Sequence, residues 1–270
     1  MPPPETITSP QNPRVKHVLR LRKHSERDAE GVVLIEGYRE IRRAVDNRHR
    51  ITTLFHSPEH FLGTNEGKLI EDCRAAGAEI IECGGPAFTK MSYRDRPDGL
   101  LAIAPQVTRK LADLKLPANP LLLVCVSIEK PGNLGTMLRT ADATGVDAVL
   151  VCDPTTDVHN PNVVRASVGT LFTVPVVECG SAEARAWLRE RGIQTLATTP
   201  DTEDIYFNVD MRAPTALILG CEQLGLDQEW LAQAGHKIRI PMLGQADSLN
   251  VSAACTLVLY EAVRQRKYSG

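Results

Sequence analysis

Leu121-Leu122-Leu123-Val124-Cys125-Val126-Ser127-Ile128-Glu129-Lys130-Pro131-Gly132-Asn133-Leu134-Gly135 is the stretch on which the fold turns. Six consecutive apolar residues without alternation read as a strand buried on both faces, as in a parallel sheet. A polar, glycine-bearing loop follows and feeds a helix predicted over Gly135 to Thr144 and stopped by Gly145. Two later segments repeat this pattern: Leu219-Gly220-Cys221-Glu222-Gln223-Leu224-Gly225-Leu226, and Ile240 through Met242, Ser248, Leu249 and Asn250 to Ser252. In a parallel sheet such loops emerge at the carboxyl ends of strands, where ligands bind.

Outward from that core, the second half of the chain reads as alternating strands and helices. Strands are predicted at 148–152, 174–177, 194–198, 215–219 and 236–240, and helices at 162–169, 181–191, 226–233 and 252–265, with Ser181 expected as an N-cap. The first half reads as a smaller α/β unit with a partly parallel sheet. Its expected helices are 15–27, 38–45 and 68–76, and its strands 31–37, 51–55, 79–82 and 100–104. Residues 1–13 hold five prolines and read as a mostly extended arm, while 107–120 is a candidate linker whose Leu111, Leu114 and Leu116 could dock on a neighbour.

With 270 residues, 43% hydrophobic and 24% charged, the chain can bury one large core or two ordinary ones. The formal charge of −2 excludes a globally basic nucleic-acid binder, yet residues 14–50 carry eleven Lys or Arg against six Asp or Glu. That excess fits a face for a polyanion and equally a solvated helical surface. Seven scattered cysteines without a CxxC pair point to reduced thiols and a cytoplasmic protein. No apolar run approaches a membrane span, and no secretory signal pattern is expected. Neither a GxGxxG nor a GxxxxGK[ST] loop is present, which disfavours nicotinamide dehydrogenases and P-loop NTPases; without HExxH or a compact His/Cys/carboxylate group, no metal site is expected.

Single residues leave alternatives open at this level. Asn133 and Asn250 fit helix caps as well as ligand contacts. Arg139, in an otherwise apolar helix, needs a carboxylate, a phosphate or water. The glycines around Glu222 also serve ordinary turns.

Three segments, in order, resemble the SpoU/TrmH family of RNA ribose 2′-O-methyltransferases, within the SPOUT superfamily. They are Asn133-Leu134-Gly135-Thr136-Met137-Leu138-Arg139-Thr140-Ala141 with Gly145, then Leu217 to Leu226, then Ile240-Pro241-Met242 through Ser248–Ser252 to Tyr260-Glu261. The resemblance is close over 119–266 and looser over 25–105, which is similar to a ribosomal-protein RNA-binding fold. Two positions depart from the pattern: Cys221 stands where a glycine is usual, and 127–132 lacks the usual Asp-Pro-type turn.

The resemblance implies an arm and first helix (1–24), an RNA substrate-binding domain (25–105), a linker (106–119) and a methyltransferase domain (120–270) with a deep trefoil knot. It further implies a homodimer formed through the C-terminal domain. S-adenosylmethionine would be gripped by Leu219, Gly220, Glu222, Ile240, Met242, Ser248, Leu249 and Asn250. Catalysis would use Arg139, as base or charge stabiliser, with Asn133, Glu222, Ser248 and Asn250. Arg14, Lys16, Arg20, Arg22, Lys23, Arg39, Arg42 and Arg165 would meet RNA phosphates. The implied reaction methylates a ribose 2′-hydroxyl of structured RNA, rRNA favoured over tRNA. The alternatives are a tRNA 2′-O-methyltransferase and a knotted RNA-binding protein without activity.

Overall fold

The structure, a computed structural model, describes residues 6–268; the first five residues of the expected N-terminal arm lie outside them. From Ile7 the arm is anchored, its N–H donating to the Glu82 carbonyl at 2.9 Å.

Helix α1 (Pro13–Arg20) opens on Pro13 with the Asn12 side chain as its cap, and α2 (His24–Glu30) ends on left-handed Gly31. The single helix expected over 15–27 is therefore two. Between them the chain turns so that Arg27 reaches back to the carbonyls of Leu21 (2.9 Å) and Arg22 (2.8 Å). Strand β1 (Val32–Glu36), α3 (Tyr38–Asp46), β2 (Thr53–His56), α4 (Glu66–Ala75), β3 (Glu79–Glu82), α5 (Gly85–Met91) and β4 (Leu100–Pro105) follow. The sequence reading missed α5, because Gly84-Gly85-Pro86 reads as a turn; here it starts the helix, with proline in the first turn where its missing N–H does no harm. The four strands lie in the order β1-β4-β2-β3, with β2 and β3 parallel and the other pairs antiparallel.

Strand β5 (Leu121–Val126), all six residues buried, leads into α6 (Pro131–Thr144) and β6 (Ala148–Cys152). Helix α6 starts four residues earlier than expected, since Pro131 favours a first helical position. Asn133 is accordingly inside the first turn, and Lys130 holds the cap position. After α7 (Pro161–Ala166) come β7 (Val176–Cys179), α8 (Ser181–Glu190), β8 (Gln194–Thr198), β9 (Thr215–Leu219), α9 (Gln228–Gln233), β10 (His236–Ile238) and α10 (Val251–Lys267).

Several bounds differ from the sequence reading for identifiable reasons. Positive φ at Val168 and Gly169 ends α7 before the expected residue 169. Pro175 cannot donate to a ladder, and β7 begins after it. Gly180, not Ser181, precedes α8; the Ser181 hydroxyl accepts from the buried Trp230 indole at 2.9 Å. Helix α9 begins only after Asp227, whose carboxylate accepts from the Trp230 N–H.

Two compact units result. One comprises the chain to Val107 together with Asp157–Thr173; the other comprises Thr108–Thr156 together with Val174 through α10. The unbroken 120–270 domain expected from sequence thus gives up 157–173, because apolar patterning shows that α7 buries a face but not in which core. Within the first unit, Gly169 passes so close to α3 that a Cβ on it would lie 2.8 Å from the Glu40 Cα. The second unit carries a six-stranded, wholly parallel sheet ordered β10-β8-β9-β5-β6-β7. Leu111 joins its core, with Leu114 and Leu116 packed against it.

Arg27 and Asp157 form an ion pair inside the first unit, with side-chain exposures of 1% and 9%. Removing one partner strands the other charge in a poorly hydrated place, at a cost of about 3–5 kcal/mol. Arg27→Ala should lower unfolding stability by about that amount, read as a reduced midpoint in urea denaturation; an unchanged midpoint would show the pair to be dispensable.

Candidate active site

Chain progression in the parallel sheet reverses between β5 and β9. From β5 the chain moves outward through β6 to β7, then crosses to β8, returns to β9 and leaves through β10. Connections from β5 and β9 therefore depart to opposite sides, and a crevice opens at their carboxyl ends. A cleft of about 870 Å³ lies at this end of the sheet.

All eight residues expected to hold a cofactor line it: Leu219, Gly220, Glu222, Ile240, Met242, Ser248, Leu249 and Asn250. Sequence reading missed a fourth contributor, Thr198 to Asp201 after β8, as well as Lys130, Tyr206 and Arg239. Only the pairing reveals it: β8 ends beside β9 and, being parallel to it, opens on the same edge.

The three predicted loops meet through side-chain hydrogen bonds. Asn133 Nδ2 donates to Glu222 Oε1 at 2.5 Å, and the Glu129 N–H donates to Glu222 Oε2 at 3.2 Å. Asn250 Nδ2 donates to Asn133 Oδ1 at 3.2 Å, while Asn250 Oδ1 caps α10 by accepting from the Ser252 N–H at 3.0 Å. Asn250 is thus both a helix cap and part of the site. Burial pushes the Glu222 carboxyl up. Hydrogen bonds from the Asn133 amide and from backbone N–H groups outweigh this and hold it below the usual value of 4.5.

The chain turns sharply to present Glu222. A Cβ on Gly220 would lie 2.2 Å from the Gly225 carbonyl, so this position admits no side chain without opening the loop. Gly225 closes the turn at φ +67°, its N–H bonded to the Cys221 carbonyl at 3.1 Å. Cys221 itself is not among the positive-φ residues, so a cysteine fits there without strain.

Arg139 does not line the cleft. It lies six residues beyond Asn133, about 9 Å farther along α6, on the exposed face with Gly132, Thr136 and Ala143. Ser248 lines the cleft from an exposed loop.

The basic candidates of the first unit separate into two groups. Arg14 pairs with Glu79 at 2.6 Å, and Arg42 bonds Asp46 and Asp72, which raise its pKa further. Arg22 donates to the carbonyls of Lys90, Met91 and Ser92 and stacks on Tyr93 at 4.6 Å. Lys16, Arg20, Lys23, Arg39 and Arg165 are exposed, and none has an ion-pair partner among the described residues. Among those residues there is also no cluster of three potential metal ligands and no helix long and apolar enough to cross a membrane.

Comparison with known proteins places this geometry in context. The SpoU rRNA Methylase family model matches residues 120–260, and a model described as an MRM3-like substrate binding domain matches 12–102. The 23S rRNA (guanosine(2553)-2′-O)-methyltransferase RlmP of Bacillus subtilis is 30% identical over 257 residues, covering 94% of this chain and 97% of its own. A crystal structure of an RNA 2′-O ribose methyltransferase is 39% identical with a TM-score of 0.86, covering 97% of this chain and 99% of that one. An AdoMet-bound rRNA methyltransferase from Sinorhizobium meliloti is 30% identical with a TM-score of 0.89, covering 98% and 99%.

Because the folded pKa of Glu222 lies below its unfolded value, its stabilising contribution is present above about 4.5 and is lost as the pH falls through the lower folded value. Glu222→Gln should flatten the acid side of a stability-against-pH curve measured by thermal unfolding. A mutant curve parallel to wild type would show that the carboxylate carries no such linkage.

Proposed function

As the chain belongs to the SpoU rRNA methylase family, we propose that it transfers a methyl group from S-adenosylmethionine to a ribose 2′-hydroxyl of structured RNA, with rRNA the substrate, in the cytoplasm. The observation that carries this reading is the Glu222–Asn133–Asn250 chain of hydrogen bonds beside a cleft lined by all eight expected cofactor residues.

The lining suits the proposed cofactor. Leu219, Ile240, Met242 and Leu249 offer apolar surface for an adenine, Gly220 brings backbone close, and Glu222, Ser248 and Asn250 add polar groups at the edge. When bound, S-adenosylmethionine supplies a methyl group already activated on a sulfonium. The protein's remaining tasks are to align the acceptor oxygen and to stabilise charge as its proton leaves.

Arg139 stabilises that developing charge or holds the neighbouring phosphate; a guanidinium is too weakly acidic to serve as an ordinary base. Its exposed position leaves it open to an RNA backbone. Asn133, held by Glu222 and Asn250, orients the ribose, and Ser248 holds the reacting groups.

The finer architecture is part of the same proposal. Strand β9 is inserted between two strands formed earlier, and the chain from β10 to α10 returns along the cleft; both features support a deep trefoil knot over 219–251. Leu257 and Tyr260 on α10 and Tyr268 at its end are exposed large apolar residues, which supports homodimer formation through that helix. Residues 25–105, a small α/β unit, serve RNA recognition, with 1–24 adding basic side chains and 106–119 leading to a methyltransferase domain built from 120–270 apart from 157–173. Lys16, Arg20 and Lys23 of the N-terminal segment and Arg39 of the small unit contact phosphates, Arg165 with them. Arg14, Arg22 and Arg42 are already engaged with carboxylates or carbonyls of the same unit.

Incubation with methyl-labelled S-adenosylmethionine and separate rRNA and tRNA pools should label a ribose 2′-oxygen in rRNA. Label in tRNA would move the substrate class, label on a base would overturn the reaction, and failure to bind the donor in calorimetry would leave an RNA-binding protein. Arg139→Ala should lower kcat by about a hundredfold with donor affinity unchanged, since Arg139 lies off the cleft.

Arg20→Glu with Lys23→Glu should weaken RNA binding and reduce its salt dependence. Arg22→Glu should instead destabilise the first unit, seen as an earlier thermal transition. RNA affinity unaffected by the double reversal in a filter-binding titration would remove this surface from consideration.

A further inference from the structure

Two consecutive peptide groups ahead of α6 lie between threonine hydroxyls and Glu222. The first joins Ile128 to Glu129: its carbonyl accepts from the Thr155 hydroxyl at 2.9 Å, and its N–H donates to Glu222 Oε2 at 3.2 Å. The second joins Glu129 to Lys130: its carbonyl accepts from the Thr156 hydroxyl at 2.7 Å, and its N–H belongs to the backbone donors that hold Glu222 ionised. In a planar trans peptide the C=O and N–H point to opposite sides. The Thr155 hydroxyl on one side and the Glu222 carboxylate on the other therefore fix the plane of the first group, and the Thr156 hydroxyl holds the second from its carbonyl side.

We propose that Thr155 and Thr156 are positioning residues for Glu222, which orient and polarise the two N–H donors the carboxylate depends on. Neither threonine is among the residues lining the cleft, and both hydroxyls donate to backbone carbonyls, not to Glu222. They come from the loop after β6, a segment outside the three that carry the predicted site. The loops after β5 and β6 are laced further at their start. Ser127 and Asp153, both at positive φ, follow directly on the register pair Val126 and Cys152, and the Ser127 hydroxyl reaches the Asp153 carbonyl at 3.3 Å. A hydrogen bond accepted at the carbonyl strengthens the N–H of the same peptide as a donor, the cooperative effect expected of bonded chains. The threonines thus act on the carboxylate through rigid peptides and not through contact.

The effect on Glu222 is independent of the methyltransferase reading; only its consequence for catalysis rests on that reading. The charged groups lining the same cleft are Lys130, Asp201, Arg239 and Asp247, and Glu129 adjoins them in the loop. None is altered by the substitutions that follow.

The test is a carbon-13 titration of the Glu222 carboxyl, assigned by its loss in Glu222→Gln. In the Thr155→Val, Thr156→Val pair the midpoint should rise by roughly half a unit to one unit. The Thr155→Ser, Thr156→Ser pair, which keeps both hydroxyls, should titrate like wild type, and so should Ser127→Ala, which loosens the loops without touching either peptide. Calorimetry should show donor affinity falling about tenfold in the valine pair and restored in the serine pair. If the valine pair does not fold, either single valine variant reads the same midpoint with a smaller rise. An unmoved midpoint in a folded valine variant overturns the proposal, as does an equal rise in the serine pair or in Ser127→Ala. Failure of the wild type to bind the donor would sink the methyltransferase reading, while the titration would still decide the threonines.

Discussion

Glu222 is a carboxylate at the carboxyl edge of a parallel sheet, and its ionised form draws on donors beyond its own loop. They come from elsewhere: the Asn133 amide and the peptide N–H groups ahead of α6. That requirement ties the loop after β9 to the loop after β5, and through Asn133 to the cap of α10. Segments about ninety and thirty residues from Glu222 are thereby held to one geometry. Without the carboxylate, the Asn133 amide would lose its acceptor and the first turn of α6 its registration against the β9 loop.

This arrangement is possible because the sheet reverses its winding between β5 and β9. Had β9 followed β7 in simple succession, its loop would have emerged far from α6. Placing a late strand beside the first one brings the two loops together, and the close pass of Gly220 against Gly225 lets the β9 loop turn back before it obstructs the cleft. The far end of the same unit is secured comparably. Arg266, in the last turn of α10, donates to the carbonyls of Met211, Asn119, Pro120 and Ala213, and so fixes that helix to the chain entering β5 and β9. Helix α10 therefore has one end at the cleft and the other at the base of the central strands.

Much of this was legible before any coordinates. The uninterrupted apolar run at 121–126 announces a parallel strand, and three polar loops following such strands announce a ligand-bearing edge. The eight cofactor candidates, carried by the family motifs, line one cleft. Strand order was not legible, because every β5-like run looks alike in sequence and register is decided by pairing across the chain. For that reason the Thr198–Asp201 edge escaped notice. The role of a loop residue was misread where its partner is remote. Asn133 looked like a cap because its true partner, Glu222, lies 89 positions away. Residues 157–173 likewise carry an ordinary apolar pattern, and only packing reveals that Arg27 and α3 hold them.

Charge counting illustrates the same limit for recognition. The excess of basic residues between 14 and 50 suggested a surface for a polyanion, but an arginine's forked, planar head serves carboxylates and carbonyls as readily as phosphates. Arg14, Arg22 and Arg42 have such partners within the first unit, and Arg27 is buried against Asp157. The cations that remain accessible include the two lysines of the segment, Lys16 and Lys23, and a subset of the arginines. An overall charge of −2 is therefore compatible with RNA recognition: what attracts a phosphate backbone is the local field of side chains with no internal acceptor, and a count of basic residues overstates that field by those already engaged within the fold.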